Sequence, residues 1–300
     1  MRRHVNMSRR EELTIGYSFL APAVLFLFFF IIVAIFYCAY MSSFEWKLYD
    51  LGAEKIFVGL QNYIQAFSDE VFVASFINTI VITVACLSIE LCLGFCIALL
   101  LWLLKKSLRV VQSIILLPMI ISPVVVALMW RYLYDTQFGM INWILRNLGV
   151  SSIAWLGDPN LSLLSVIIVD IWQMTSFSII ILYAAMNAID DTWIEAAQVD
   201  GAKLWQVVVN IIIPSIKSMI GFTILMRMMD LLKIFDTIYV MTGGGPGYSS
   251  QSLAIFTYKV GFSQSKMGYA MALSMITLVC TMIVSYILTK GRKKDKAVNG

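Results

Sequence analysis

Hydrophobic positions in this chain come in long unbroken runs separated by short polar stretches, not in the alternating or one-faced patterns of water-soluble strands and helices. A bilayer core about 30 Å thick is crossed by ~20 mostly apolar residues of helix. Six runs meet that length: Ile15–Met41, Val71–Leu104, Val110–Leu133, Leu161–Ala188, one that starts after Pro214 and ends near Val240, and Gly268–Thr289. Pro22 falls near the start of the first run, where proline is tolerated. The pattern predicts an all-α integral membrane protein with six transmembrane helices. A signal-peptide reading of the first run draws on Arg2, Arg3, Arg9 and Arg10 ahead of it. The run is longer than a signal core of about 7–15 residues, and no small-x-small cleavage site follows it.

Composition points the same way. Of 300 residues, 60% are apolar and 13% charged, with a mean hydropathy of +0.84. Soluble domains run at about 45–50% apolar and about 25% charged, so this chain lacks the polar residues to cover a water-facing globule. The net charge of +4 is modest, and no basic face with polar context exists for nucleic acid. Cys38, Cys86, Cys92, Cys96 and Cys280 all lie inside apolar runs and read as small hydrophobes. Cys92 and Cys96 share a helix face, but two thiols in lipid make a poor metal site, and His4, the single histidine, sits in a polar tail. No metal site is expected.

The distribution of positive charge sets an orientation. With the N-terminus inside, the cytoplasmic side collects Arg2, Arg3, Arg9, Arg10, Lys105, Lys106, Arg109, Lys203, Lys217, Lys290, Arg292, Lys293, Lys294 and Lys296. The other side holds Lys47, Lys55, Arg131, Arg146, Lys259 and Lys266. Fourteen against six places both termini in the cytoplasm. The organisation expected is a cytoplasmic tail over 1–14, one transmembrane domain over 15–289 and a basic cytoplasmic tail over 290–300. The outer loops 42–70, 134–160 and 242–267 are short amphipathic connectors.

One polar stretch, about 190–214, lies on the cytoplasmic side between the fourth and fifth runs. Thr192 followed three residues later by Glu195 has the spacing of a capping box, and Glu195 suits the positive end of a helix dipole. Gly201 can adopt the left-handed conformation that closes a helix, with a second helix from Ala202 onward and Pro214 at the entry to the fifth span. Two short helices with a bend, carried outside the bilayer, are expected.

Glu195-Ala196-Ala197, Gly201 six residues after the glutamate, Ile211 ten residues later and Pro214 three beyond that resemble the EAA loop of ABC importer permeases. With Asp200, Ala202, Trp205 and Gln206 the stretch is similar to the carbohydrate-uptake permeases of the maltose and glycerol-phosphate type. Phe57-Val58-Gly59-Leu60, Asn62-Tyr63 and Asn78-Thr79 resemble the family's first outer loop and second helix. Ile234-Phe235-Asp236 with Thr242-Gly243-Gly244-Gly245-Pro246, and then Gly268-Tyr269-Ala270, resemble its later segments. Ile213 replaces a usual leucine, Ser218 a common second proline, and Thr175-Ser176-Phe177 lacks a proline often found before the phenylalanine.

The resemblance implies the compact six-helix form of the type I ABC importer permease fold, in the bacterial cytoplasmic membrane. It implies a non-catalytic subunit that forms half of a carbohydrate path with a second, homologous permease. Its loop would dock on one of two ATP-binding cassette subunits through Glu195, Ala196, Ala197, Asp200, Gly201 and Ala202. An extracytoplasmic binding protein would deliver the substrate. ATP and magnesium would be used by the separate ATPase, and none is expected to bind this chain, which has no Gly-x4-Gly-Lys-[Ser/Thr] phosphate loop. The glycine-rich 243–247 segment lacks the lysine and reads as a turn.

Charges within the spans are informative because each costs ~2.5–3.5 kcal/mol at a helix centre on insertion scales. Glu90 lies in the second run, Asp170 in the fourth, and Arg227, Asp230, Lys233 and Asp236 alternate in sign at spacing three in the fifth. That spacing makes them neighbours on one helix, with Asp230 or Glu90 as the partner of Arg227. They form either a structural ion ladder against the partner permease or a hydrophilic wall of the substrate path. Trp172 and Gln173 pair an aromatic face with an amide, a combination that suits a sugar, although a packed tryptophan is the commoner use. A stand-alone secondary transporter or channel is the alternative function; such carriers typically show inverted repeats, and none is visible here.

Overall fold

The computed structural model describes residues 9–47, 55–104 and 109–298, with side chains over 17–47, 55–104 and 110–290. Arg2, Arg3, His4, Lys105 and Lys106, used above for orientation and site chemistry, lie outside the described residues, as do the side chains of Arg9, Arg10, Arg109 and the lysines and arginine beyond 290. By contacts the chain divides into two compact units: 1–65 with 260–275, and 66–259 with 276–300.

In the first unit, helix α1 (Arg9–Met41) is followed by a two-residue hairpin, β1 (Phe44–Glu45) antiparallel to β2 (Ile56–Phe57). The apolar side chains of α1 from Tyr17 through Phe30 are exposed all round, the signature of a span that meets lipid or another chain and not a core of its own. Where helix α2 (Gln61–Ser68) begins, Asn62 donates to the carbonyls of Ser42 and Phe44 at 2.8 and 3.1 Å, tying it to the end of α1. Gly268, near the start of α13 (Met267–Val298), passes so close to the Phe44 carbonyl that a Cβ would collide with it. Only glycine fits there, which accounts physically for the glycine of the Gly268-Tyr269-Ala270 stretch.

The second unit is built on α3 (Glu70–Leu103) and α7 (Ser162–Asn187), which pack along their length. Asp69 caps α3 by accepting from the backbone of Val71 at 2.9 Å. A Cβ on Gly94 of α3 would meet the Cβ of Ser178 on α7 at 2.6 Å, so the two backbones approach through a pair of small residues. Of the candidate spans α7 is the most enclosed, and it carries a row of buried polar side chains, Ser165, Asp170, Gln173, Ser176 and Ser178 among them.

The third apolar run is not one helix. It forms α4 (Arg109–Ile120) and α5 (Pro123–Leu133), bent by 92° at Ile121–Ser122. Pro123 forces the cause: Ser122, the residue before it, is held extended at ψ 136°, and a helix cannot pass through such a residue. Among the described residues five helices are each long and apolar enough to cross a bilayer, or up to six spans when the bent pair counts as one.

The fifth run also differs from the expectation. After α6 (Met140–Asn147) and α7 come α8 (Asp191–Val199), α9 (Leu204–Val207), a π-helical turn Val208–Ile212 and α10 (Ile213–Leu231), so helix begins ten residues before Pro214. Pro214 follows directly on the π-helical turn, inside a helix continuous from Leu204, so its missing N–H falls where the helical hydrogen-bond register has already been interrupted. The helix then stops at Leu231, and α11 (Asp236–Met241) and α12 (Leu253–Tyr258) complete the unit with the second part of α13. Ile82 and Cys86 of α3, Val166 and Ile167 of α7, Leu231, Ile238 and Ile255 form a shared core around that stop. The freed carbonyl of Ile234 accepts from the Ser252 hydroxyl at 2.8 Å. Gly243 and Gly244 take φ of +61° and +88° in the glycine-rich turn.

Candidate functional site

Two regions concentrate chemistry. The first is the polar loop. Asp190, not Thr192, caps α8: its carboxylate accepts from the Thr192 backbone at 3.0 Å and from the Thr192 hydroxyl at 2.8 Å. The Thr192–Glu195 capping box is therefore corrected. Thr192 lies inside the first turn, and an aspartate two residues earlier is the stronger cap. The paired donors hold the Asp190 carboxyl below the usual carboxylate range.

The loop's bend is a Schellman closure. Gly201 takes φ +76°, its N–H donates to Gln198 at 3.0 Å, and the Ala202 N–H donates to Ala197 at 2.9 Å. No atom lies within 4 Å of where a Gly201 Cβ would be, so the glycine is required by backbone conformation and not by crowding. Gln206 then reaches back to the Lys203 N–H at 2.7 Å to start α9.

Burial splits the motif. Ile194, Val207, Ile212 and Ile216 pack with Ala98 and Trp102 of α3 and Leu182 and Met186 of α7, and Ala197, Ala202 and Ile211 lean on the same cluster. Glu195, Ala196, Asp200 and Gly201 face outward, beside exposed Trp193, Val199 and Trp205. Of the docking residues that the resemblance implies, Ala197 and Ala202 are half-buried against the anchor, Ala197 because it sits one turn from Ile194 on the same face of α8.

The second region is ionic. Arg227 of α10 donates from Nε to Glu90 Oε2 at 2.7 Å and from Nη2 to Glu90 Oε1 at 2.9 Å. The same Nη2 donates to Asp170 Oδ2 at 2.7 Å. All three residues are at most 6% exposed, so one guanidinium on α10 joins carboxylates on α3 and α7. Taking such ions out of water costs several kcal/mol each, offset only by good geometry and full hydrogen bonding, and a fork on one carboxylate with a second acceptor supplies both. Cys86, Glu90 and Asp170 bring ligand atoms within 4.8 Å of one another, and the charge that meets the carboxylates there is Arg227.

The expected ladder along one helix is thus corrected. Asp230 does not pair with Arg227; it meets Lys233 at 3.5 Å in an exposed pair. Asp236 opens α11, because α10 has already ended. Beside the triad lies a cavity of about 370 Å³ whose wall includes Asp170, Gln173, Arg227, Asp230, Lys233 and Asp236. Glu90 stands behind this wall, fully buried. Trp172 is not on it; its ring packs edge-to-face on Trp130 at 5.6 Å. Gln173 spends its amide N–H on the Ile121 carbonyl at 2.9 Å, satisfying the break between α4 and α5. Asp170 as a partner of Arg227 was missed, since nothing in the sequence tells which of three helices meet at one depth.

Apolar spans, a charge cluster uniting three of them and a bent helical element between the fourth and fifth define a type I importer permease fold. A chain of a solved bacterial ABC transporter involved in the import of the acidic polysaccharide alginate superposes with a TM-score of 0.81 at 21% identity, over 93% of this chain and 95% of that one. Residues 20–291 match the binding-protein-dependent transport system inner membrane component family, and the chain belongs to it. It is 33% identical over 286 residues to the probable ABC transporter permease protein YurN of Bacillus subtilis, covering 94% of this chain and 97% of that one. It is 31% identical over 283 residues to the trehalose/maltose transport system permease protein MalF of Thermococcus litoralis, covering 93% and 94%.

Proposed function

We propose that this chain is a permease subunit of an ATP-driven, binding-protein-dependent importer of sugars or related carbohydrates in the bacterial cytoplasmic membrane. It forms half of the path with a second permease and is driven by two separate ATPase subunits that use ATP and magnesium. The observation that carries this reading is the loop 190–214. It is closed rigidly at Gly201, anchored on α3 and α7 through Ile194 and Ile212, and presents an outward face of Trp193, Glu195, Ala196 and Val199. Such a part transmits motion at a docking interface; a stand-alone carrier has no use for it. The trehalose/maltose relative supports carbohydrate as the cargo. The cavity of Asp170, Gln173, Arg227 and Asp230 is the stretch of path this chain contributes, with Glu90 fixing Arg227 from behind.

The test is reconstitution of the complex that co-purifies with this chain. Loaded binding protein should stimulate ATP hydrolysis and drive uptake of a saccharide into proteoliposomes. Uptake by this chain alone, without ATPase, would make it a carrier. For orientation, Ser152→Cys should label from outside intact cells and Lys293→Cys should not, in keeping with the fourteen-to-six charge split.

A further inference from the structure

The charge on the cavity wall is unbalanced. Arg227 is held by Glu90 and Asp170, so its single positive charge faces two carboxylates. Lys233 is matched by Asp230. Asp236, exposed at the first turn of α11, is left without a counter-ion among the described residues. On the wall two cations, Arg227 and Lys233, stand against three carboxylates, Asp170, Asp230 and Asp236, with Glu90 buried behind Arg227 as a fourth. Of the hydrogen-bond donors on the wall, one N–H of the Gln173 amide goes to Ile121 and Nε and Nη2 of Arg227 go to the two carboxylates, whereas the carboxylates are acceptors only.

We infer that this cavity is a charge filter on the transport path, admitting neutral polyhydroxylated and cationic amino saccharides and turning away uronates and sugar phosphates. The inference rests on the importer reading above and adds the substrate class. A saccharide hydroxyl or ammonium brings donors to the wall carboxylates. A carboxylate or phosphate brings more negative charge into a recess whose low-dielectric sides prevent screening. The device depends on Glu90 and Asp170 jointly. With one carboxylate the Arg227 charge would be merely cancelled; the second makes the wall acidic.

The experiment measures the local potential directly in the assembled complex. Met174, on the cavity wall, is replaced (Met174→Cys), with Thr237→Cys as a second position should the first fail to assemble. Modification by a cationic and by an anionic methanethiosulfonate of similar size is timed, and peptide mass spectrometry assigns the label to the introduced thiol. The cationic-to-anionic rate ratio should exceed that of a free small thiol by at least about tenfold. Asp236→Asn should lower the ratio, and Lys233→Gln should raise it. A ratio at or below that of the free thiol overturns the filter, and so does a thiol that neither reagent reaches, since a filter on the path must be wet. Saccharide uptake by the unmodified complex is scored alongside. No uptake of any saccharide defeats the importer reading. Uptake of a neutral saccharide with a free-thiol ratio defeats the filter alone.

Discussion

Arg227 and Glu90, on helices far apart in sequence, meet through two parallel hydrogen bonds of 2.7 and 2.9 Å, and Asp170 closes the group from a third helix. Removing the cation leaves two buried carboxylates facing each other. Arg227→Ala is expected to cost about 3–5 kcal/mol and to reduce assembly. The apolar triple variant Glu90→Leu, Asp170→Leu, Arg227→Met should assemble better than that single variant, because it leaves no orphaned charge. Detergent-solubilised yield and thermal unfolding measure both. A single variant as stable as the parent would mean that the cluster is no strut.

Gly201 supplies a prediction about coupling. Its left-handed φ of +76° has open space around it, so Gly201→Val suffers from conformational strain alone, of order 1–3 kcal/mol, without a clash. Binding-protein-stimulated ATP hydrolysis should fall while the spans still assemble. Glu195→Lys, on the outward face, should weaken ATPase co-purification. Wild-type hydrolysis in both variants would remove the loop from the coupling path.

Asp190 makes the start of α8 sensitive to pH. Its carboxyl lies below the ordinary range because Thr192 donates to it twice. A depressed folded-state value means the stabilisation is present above the ordinary carboxylate pKa and is lost as pH falls through the lowered one. Amide exchange in the first turn of α8, corrected for intrinsic rates, should accelerate on acidification in the parent. In Asp190→Asn that acceleration should vanish; if it persists, another group is responsible.

The bend between α4 and α5 depends on Gln173. Gln173→Leu removes the donor to the Ile121 carbonyl and should cost about 1–3 kcal/mol. Loss of thermal stability without loss of ATPase co-purification is the expected result. An unchanged melting temperature would show that the carbonyl finds another partner.

Close packing of α3 on α7 gives a last prediction. Gly94→Val drives a Cβ to within 2.6 Å of Ser178 and should destabilise the complex by about 1–3 kcal/mol. Ser178→Gly should recover part of that loss in a double-mutant cycle. Simple additivity would show that the strain is relieved elsewhere.

Much was readable before any coordinates, for physical reasons that can be stated residue by residue. Lipid demands long apolar helices, so the runs from Ile15 to Thr289 marked the spans, and a left-handed closure demands glycine, so Gly201 marked the bend. Errors arose where local rules competed. The capping-box spacing pointed to Thr192, but the helix starts at Asp191, so Asp190 holds the cap position. Pro123 was passed over within an apolar run, although it fixes the extended Ser122 that breaks the third span.

The membrane class, the apolar runs that hold the spans and the bent loop with its required glycine are legible in the sequence. These follow from hydropathy, period and backbone preference, which act over a few neighbouring residues. Helix packing sets the rest: Arg227 turns to Glu90 and Asp170 instead of Asp230, Gln173 serves the Ile121 carbonyl, and Ala197 faces inward while Ala196 faces out. Each of these depends on the depth and rotation at which α3, α7 and α10 pack. Those are set by contacts such as Gly94 against Ser178 and by where α10 stops, and neither is encoded in any single stretch of chain.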